Sequence, residues 1–124
     1  GHSEPGDGSL EETAIRETQE ETGIERHHID VVGRLDDYET RTGFRVTPVV
    51  AMITPPFDLK PDAHEVDEIF EVPLAFLLDP ANHQRHAREF EGHKRQFFAM
   101  PYKEHFIWGA TAGMLINLYE ALRP

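Results

Sequence analysis

Glu17, Glu20 and Glu21 are the residues of this chain best suited to chemistry, in the run Arg16-Glu17-Thr18-Gln19-Glu20-Glu21-Thr22-Gly23-Ile24. On a helix the spacing i, i+3, i+4 stacks three carboxylates on one face. Like charges at that spacing repel, so something must offset the cost. A divalent cation is the natural candidate. Hard oxygen donors suit magnesium or manganese, and magnesium commonly takes one or two carboxylates together with substrate phosphates. The competing reading is an ordinary solvated acidic face.

The flanking residues are those that a helix needs to hold such a face. Ser9-Leu10-Glu11-Glu12 has the form of a capping box, with Ser9 as N-cap and Glu12 reaching back to its amide. Gly23 supplies a left-handed residue to end the helix, which is expected over residues 10–22. Leu10, Ala14 and Ile15 form its expected apolar side. Glu4-Pro5-Gly6-Asp7-Gly8 reads as a turn leading into the helix N-terminus.

Composition narrows the function classes. The 124 residues suit one domain, and the 39% apolar fraction is low for a compact core. A net charge of −11 argues against a nucleic-acid partner. The same charge is compatible with a small phosphorylated substrate if metal ions invert the field locally. There is no cysteine, and no apolar stretch reaches transmembrane length. No membrane partner is expected, and a cytoplasmic location is.

Further along, residues 31–35 read as a short strand with Gly33 weakening it or marking a bulge, and residues 36–42 as a hairpin loop carrying Tyr38 and Arg41. Residues 44–53 read as one valine-rich strand interrupted by Pro48, and residues 69–72 as another strand. Pro73 is expected to open a short helix through Leu78, and residues 79–91 to form a polar insertion. Residues 95–100 and 105–108 should pair as a hairpin through 101–104. A closing helix over 110–122 would bury Met114, Leu115, Leu118 and Leu122. The eight histidines form no zinc pattern and read as surface residues. Tyr38, Arg41 and Arg45 are candidates for substrate contact, through ring stacking and phosphate binding.

The run from Arg16 to Ile24 resembles the second half of the Nudix box, G-x5-E-x7-R-E-U-x-E-E-x-G-U with U aliphatic. Arg16, Glu17, Glu20, Glu21, Gly23 and Ile24 match, while Thr18 takes an aliphatic slot. Gly1 can serve as the leading glycine and Asp7 as the first acid, but eight residues rather than seven separate Asp7 from Arg16. That expansion, with Glu4-Pro5-Gly6-Asp7 and Thr13-Ala14-Ile15-Arg16-Glu17, is similar to the bacterial coenzyme A pyrophosphatase branch. Residues 43–50, 65–74 and 107–112 resemble that branch as well.

The resemblance implies an α/β fold, a Nudix α/β/α sandwich with a mixed sheet, present as one domain over residues 1–124. The block preceding the box in the family is absent, so the chain is expected to lack its N-terminal strands. Either it is a piece of a longer protein, or Gly1-His2 is a cloning remnant. The implied activity is metal-dependent hydrolysis of a nucleoside diphosphate linked to another group, with coenzyme A the preferred substrate. Implied metal ligands are Glu17 and Glu21 first, with Glu20 either a third ligand or a residue that supports them from outside the metal's reach, and magnesium or manganese as cofactor. Arg16 would orient a neighbouring carboxylate, and Glu65 would act as general base or further ligand, with Glu68 as its substitute. A homodimer is the assembly suggested by Nudix relatives. Alternatives are another Nudix substrate (ADP-ribose, a dinucleoside polyphosphate or an NDP-sugar) or an inactive nucleotide-binding module.

Overall fold

The computed structural model describes residues 2–124, so Gly1, the expected leading glycine of the motif, lies outside the described residues. Two compact units divide the chain. Residues up to Asp36 with Thr47–Phe70 form the first, and Asp37–Val46 with Glu71–Pro124 form the second. The secondary structure is mixed α/β, and every strand pairing among the described residues is antiparallel.

In the first unit, α1 spans Leu10–Thr22 as expected. The extended Ser9 accepts a bond from the Glu12 amide at 3.1 Å, satisfying one orphan N–H of the first turn. The reciprocal half of the capping box gives way to an ion pair, because the Glu12 carboxylate meets Arg26. Thr13 is the buried residue of α1, whereas the expected apolar contact Leu10 is exposed. Thr13 can be buried because its hydroxyl bonds Asp7 Oδ2 at 2.9 Å and the Ser9 carbonyl at 3.2 Å.

Gly23 ends α1 at φ 78°, with its N–H on the Gln19 carbonyl at 2.9 Å. Glycine is required there for a second reason: a Cβ would fall 2.7 Å from that of Lys60. The close approach exists because the chain after residue 57 straps the helix end. The Lys60 and Asp62 amides donate to the Thr22 and Glu21 carbonyls at 2.7 and 3.1 Å. After a 3₁₀ turn at Arg26–His28, β1 (Ile29–Arg34) pairs with β4 (Val49–Ile53), and the register slips at the expected bulge between Val31 and Gly33.

The second unit is built on a three-stranded meander: β5 (Gln84–Phe90), β6 (His93–Tyr102) and β7 (His105–Trp108). Its turns are short and use left-handed residues, Glu91 at φ 53° with Gly92 at φ 78°, then Lys103 at φ 54°. Helix α3 (Gly109–Leu122) packs on β6 and β7, so Ala99, Met100, Ala112 and Gly113 form the fully buried seam. A small ladder joins β2 (Tyr38–Glu39) to β3 (Arg45–Val46), and the four-residue helix α2 (Leu74–Leu77) lies near α3.

Several expectations are corrected. The polar insertion at 79–91 is in fact mostly strand β5, paired in register with β6 along its whole length. Its side chains are polar, but the ladder is made by the backbone. The single strand at 44–53 is two strands, β3 and β4, because Pro48 has no amide to donate. Residues 69–72 form no strand. Pro73 occupies the N-cap of α2 rather than its first helical position. Leu122, placed on the inner face of α3, is exposed, and the residues that meet the sheet are smaller.

Gly113 explains why small residues sit there. A Cβ on it would lie 2.8 Å from both Cε2 and Cζ of the Tyr38 ring. We expect Gly113→Ala to lower stability by about 1–3 kcal/mol, the range for overpacking. In a Tyr38→Leu background the added cost should largely vanish. Urea unfolding of the four proteins of that cycle measures the coupling.

Candidate metal centre

Arg16 projects from the middle of α1 and ties the preceding loop to the helix. Its Nε donates to Asp7 Oδ1 at 3.0 Å and its Nη2 to Asp7 Oδ2 at 3.2 Å, a two-pronged pairing. Nη2 also reaches the His2 carbonyl at 2.9 Å, while Nη1 donates to Glu17 at 3.1 Å and Glu20 at 3.2 Å. Asp7 further accepts the Glu4 amide at 2.9 Å, and its side chain is only 9% exposed. The Arg16 guanidinium, followed by the Glu4 amide, lowers the Asp7 pKa from 3.8 to about 2. Asp7 in return raises that of Arg16.

The other carboxylates gather elsewhere. Glu17 and Glu21 are one helical turn apart, and the strap after α1 brings Glu65 to them. Asp62 anchors that strap twice: its amide is held by the Glu21 carbonyl, and its own carbonyl receives the Glu65 and Val66 amides at 3.1 and 2.8 Å. Carboxylate oxygens of Glu17, Glu21 and Glu65 all lie within 4.8 Å of one another. Burial raises the Glu21 pKa first, and the charges of Glu17 and Glu65 raise it further.

Such a cluster is unfavourable without a cation, and its donors are all hard oxygens. It therefore fits magnesium or manganese rather than zinc. Glu20, grouped with the metal ligands by sequence, stands apart from these three; its carboxylate is held by Arg16 and its side chain is 53% exposed. Glu68 is not in the group, and no histidine joins it among the described residues. His28 and His83 instead approach the carbonyls of Thr54 and Leu77 at 2.8 and 2.7 Å, and His86 stacks on Phe97.

Of the proposed substrate contacts, Tyr38 packs at Gly113 and Arg41 donates to the Gln96 carbonyl. Arg45 lies opposite Glu39 on the β2–β3 ladder. What sequence reasoning missed is the strap itself. Its signal was Pro61-Asp62, a turn former, and Asp62 does accept the His64 amide on Oδ1 at 2.9 Å.

Residues 1–100 match the family model described as NUDIX domain. The chain is 32% identical, over 99% of its length, to a Photorhabdus laumondii protein named "Uncharacterized Nudix hydrolase NudL", of which it covers 66%. Proteins of the same name from Cronobacter sakazakii and an Enterobacter species are 37% and 34% identical over 90% of the chain, which covers 58% of each. The chain thus spans about three-fifths of the length of these curated relatives.

The Asp7 pairing has a defined pH window. Because the folded pKa lies below the ordinary 3.8, its stabilisation is present above that value and is lost as pH falls toward about 2. Asp7→Asn should lower the thermal midpoint at neutral pH. The gap between the two proteins should narrow between pH 4 and 2, as followed by circular dichroism melts.

Proposed function

We propose, from the premise that this chain belongs to the Nudix family, that it is a metal-dependent pyrophosphohydrolase acting on a nucleoside diphosphate linked to a second group. The single observation that carries the reading is the convergence of Glu17, Glu21 and Glu65 to within 4.8 Å. These three side chains would hold magnesium or manganese. Glu20 is better assigned to positioning Arg16. A bound divalent ion supplies charge neutralisation for the pyrophosphate and a lowered pKa for an attacking water.

The remaining work falls to the chain. Arg16 holds Glu17 and Glu20 through Nη1 while its other nitrogens grip Asp7 and the His2 carbonyl, so the helix face is presented in one arrangement. Glu65, exposed at the strap, either completes the ligand set or accepts a proton from water. Coenzyme A is the preferred substrate, giving 3′,5′-ADP and a phosphopantetheine product. The support is the Asp7-expanded motif. We further propose that both units belong to one Nudix domain with the family's α/β/α layering, that the protein acts in the cytoplasm, and that it works as a homodimer.

Incubating the protein with coenzyme A and magnesium, with products separated by chromatography, tests the assignment. Release of 3′,5′-ADP supports it; turnover of ADP-ribose or a dinucleoside polyphosphate alone would move it to another branch. Glu21→Gln should lower kcat at least about a hundredfold by removing a metal ligand. Glu20→Gln should cost roughly tenfold, the lower end for a residue acting through another. If Glu21→Gln turns over at the parent rate, or binding occurs with no cleavage of any of these substrates, the hydrolase reading fails.

A further inference from the structure

We propose that the second unit carries a binding site of its own for a phosphomonoester attached to a planar ring. The carrying observation is a like-charged pair: Arg88 and Arg95 stand directly opposite each other across β5 and β6. Opposed like charges on paired strands are unfavourable. Neither guanidinium joins an ion pair among the described residues. The next pair in register, Glu89 with Lys94, places opposite charges on the other face, so complementary pairing is available to this ladder and is not used at 88 and 95.

Both arginines line a cavity of about 800 Å³ within the second unit, and Arg85 lines it too. Glu39 is the one carboxylate among its lining residues, in a chain whose net charge is −11. The cavity therefore concentrates positive charge against the sign of the whole molecule. Its walls also offer rings. Phe97 and Trp108 meet edge to face at 5.6 Å, and Trp108 remains 51% exposed. Phe90 lies exposed on the same face.

A phosphomonoester dianion has enough acceptor oxygens to engage both guanidinium forks and cancel their repulsion. A planar ring attached to it stacks on an exposed aromatic face, a contact worth most when one side is already walled. The ligand is small, because a long polyanion would meet the acidic remainder of the chain. The site uses no carboxylate of the metal cluster, so occupancy requires no metal; the choice of an adenosine bisphosphate as probe rests on the coenzyme A reading above.

Trp108 is the sole tryptophan, so its emission reports this cavity directly. Adenosine 3′,5′-bisphosphate titrated in EDTA should change that emission saturably. Adenosine alone and inorganic phosphate alone should bind at least about tenfold more weakly. Arg95→Glu replaces the repulsion with a cross-strand ion pair, so its thermal midpoint should hold or rise. Its affinity for the bisphosphate should fall roughly tenfold to a hundredfold. Arg88→Gln gives the same loss and serves if the first variant does not fold. Unchanged affinity in the folded variants, adenosine binding as tightly as the bisphosphate, or inorganic phosphate doing so would each overturn the proposal.

Discussion

The C-terminal end of α1 is the constraint on which the carboxylate cluster depends. A helix end leaves carbonyls without partners. Here two of them, on Glu21 and Thr22, are taken by the amides of Asp62 and Lys60. The strap can come that close only because residue 23 has no side chain. Those bonds set the position of the turn at Asp62, which in turn presents Glu65. An interaction made entirely by backbone thereby decides which third carboxylate faces Glu17 and Glu21. Glycine at the end of the helix serves as a conformational cap and, equally, as the space into which the other side of the site is built.

Charge is sorted within the first unit by the one cation at the centre of the helix. Arg16 could pair with any carboxylate nearby, and its fork is committed mainly to Asp7. What remains, Nη1, is shared between Glu17 and Glu20. Asp7 and Glu20 are consequently compensated, whereas Glu21 is left beside two like charges with its pKa raised. The two ends of one acidic stretch thus have opposite electrostatic states. The lowered acid stabilises the fold, whereas the raised one is disfavoured in its charged form.

The helix and its cluster were legible because their determinants are local: a capping serine, a spacing of three and four residues, and a terminal glycine. The role of Glu65 was visible only through resemblance, since its approach depends on bonds between residues about forty apart in sequence. Strand β5 was hidden for a different reason. Gln84 to Phe90 carries few apolar residues, and a ladder made by backbone groups leaves no hydrophobic alternation to read. Pro48 was noticed as a strand irregularity, but its consequence, two strands belonging to different units, is a tertiary outcome. The inner face of α3 was read in part: Met114, Leu115 and Leu118 are half-buried, whereas Leu122 is exposed and the buried positions are Ala112 and Gly113. Tyr38 supplies the bulk from another segment, so the helix contributes its small residues there.

Like charges held together appear in both units and call for different partners. In the first, the carboxylates of Glu17, Glu21 and Glu65 converge, an arrangement of hard oxygen donors. In the second, the Arg88–Arg95 pair faces a wide cavity with aromatic walls, which suits an anion with an organic body. Each arrangement sets like charges against one another, on paired strands in one unit and on a capped helix with its strap in the other. Rigid ladders and a capped helix are what allow repelling groups to stay put, because a looser frame would let them swing into solvent.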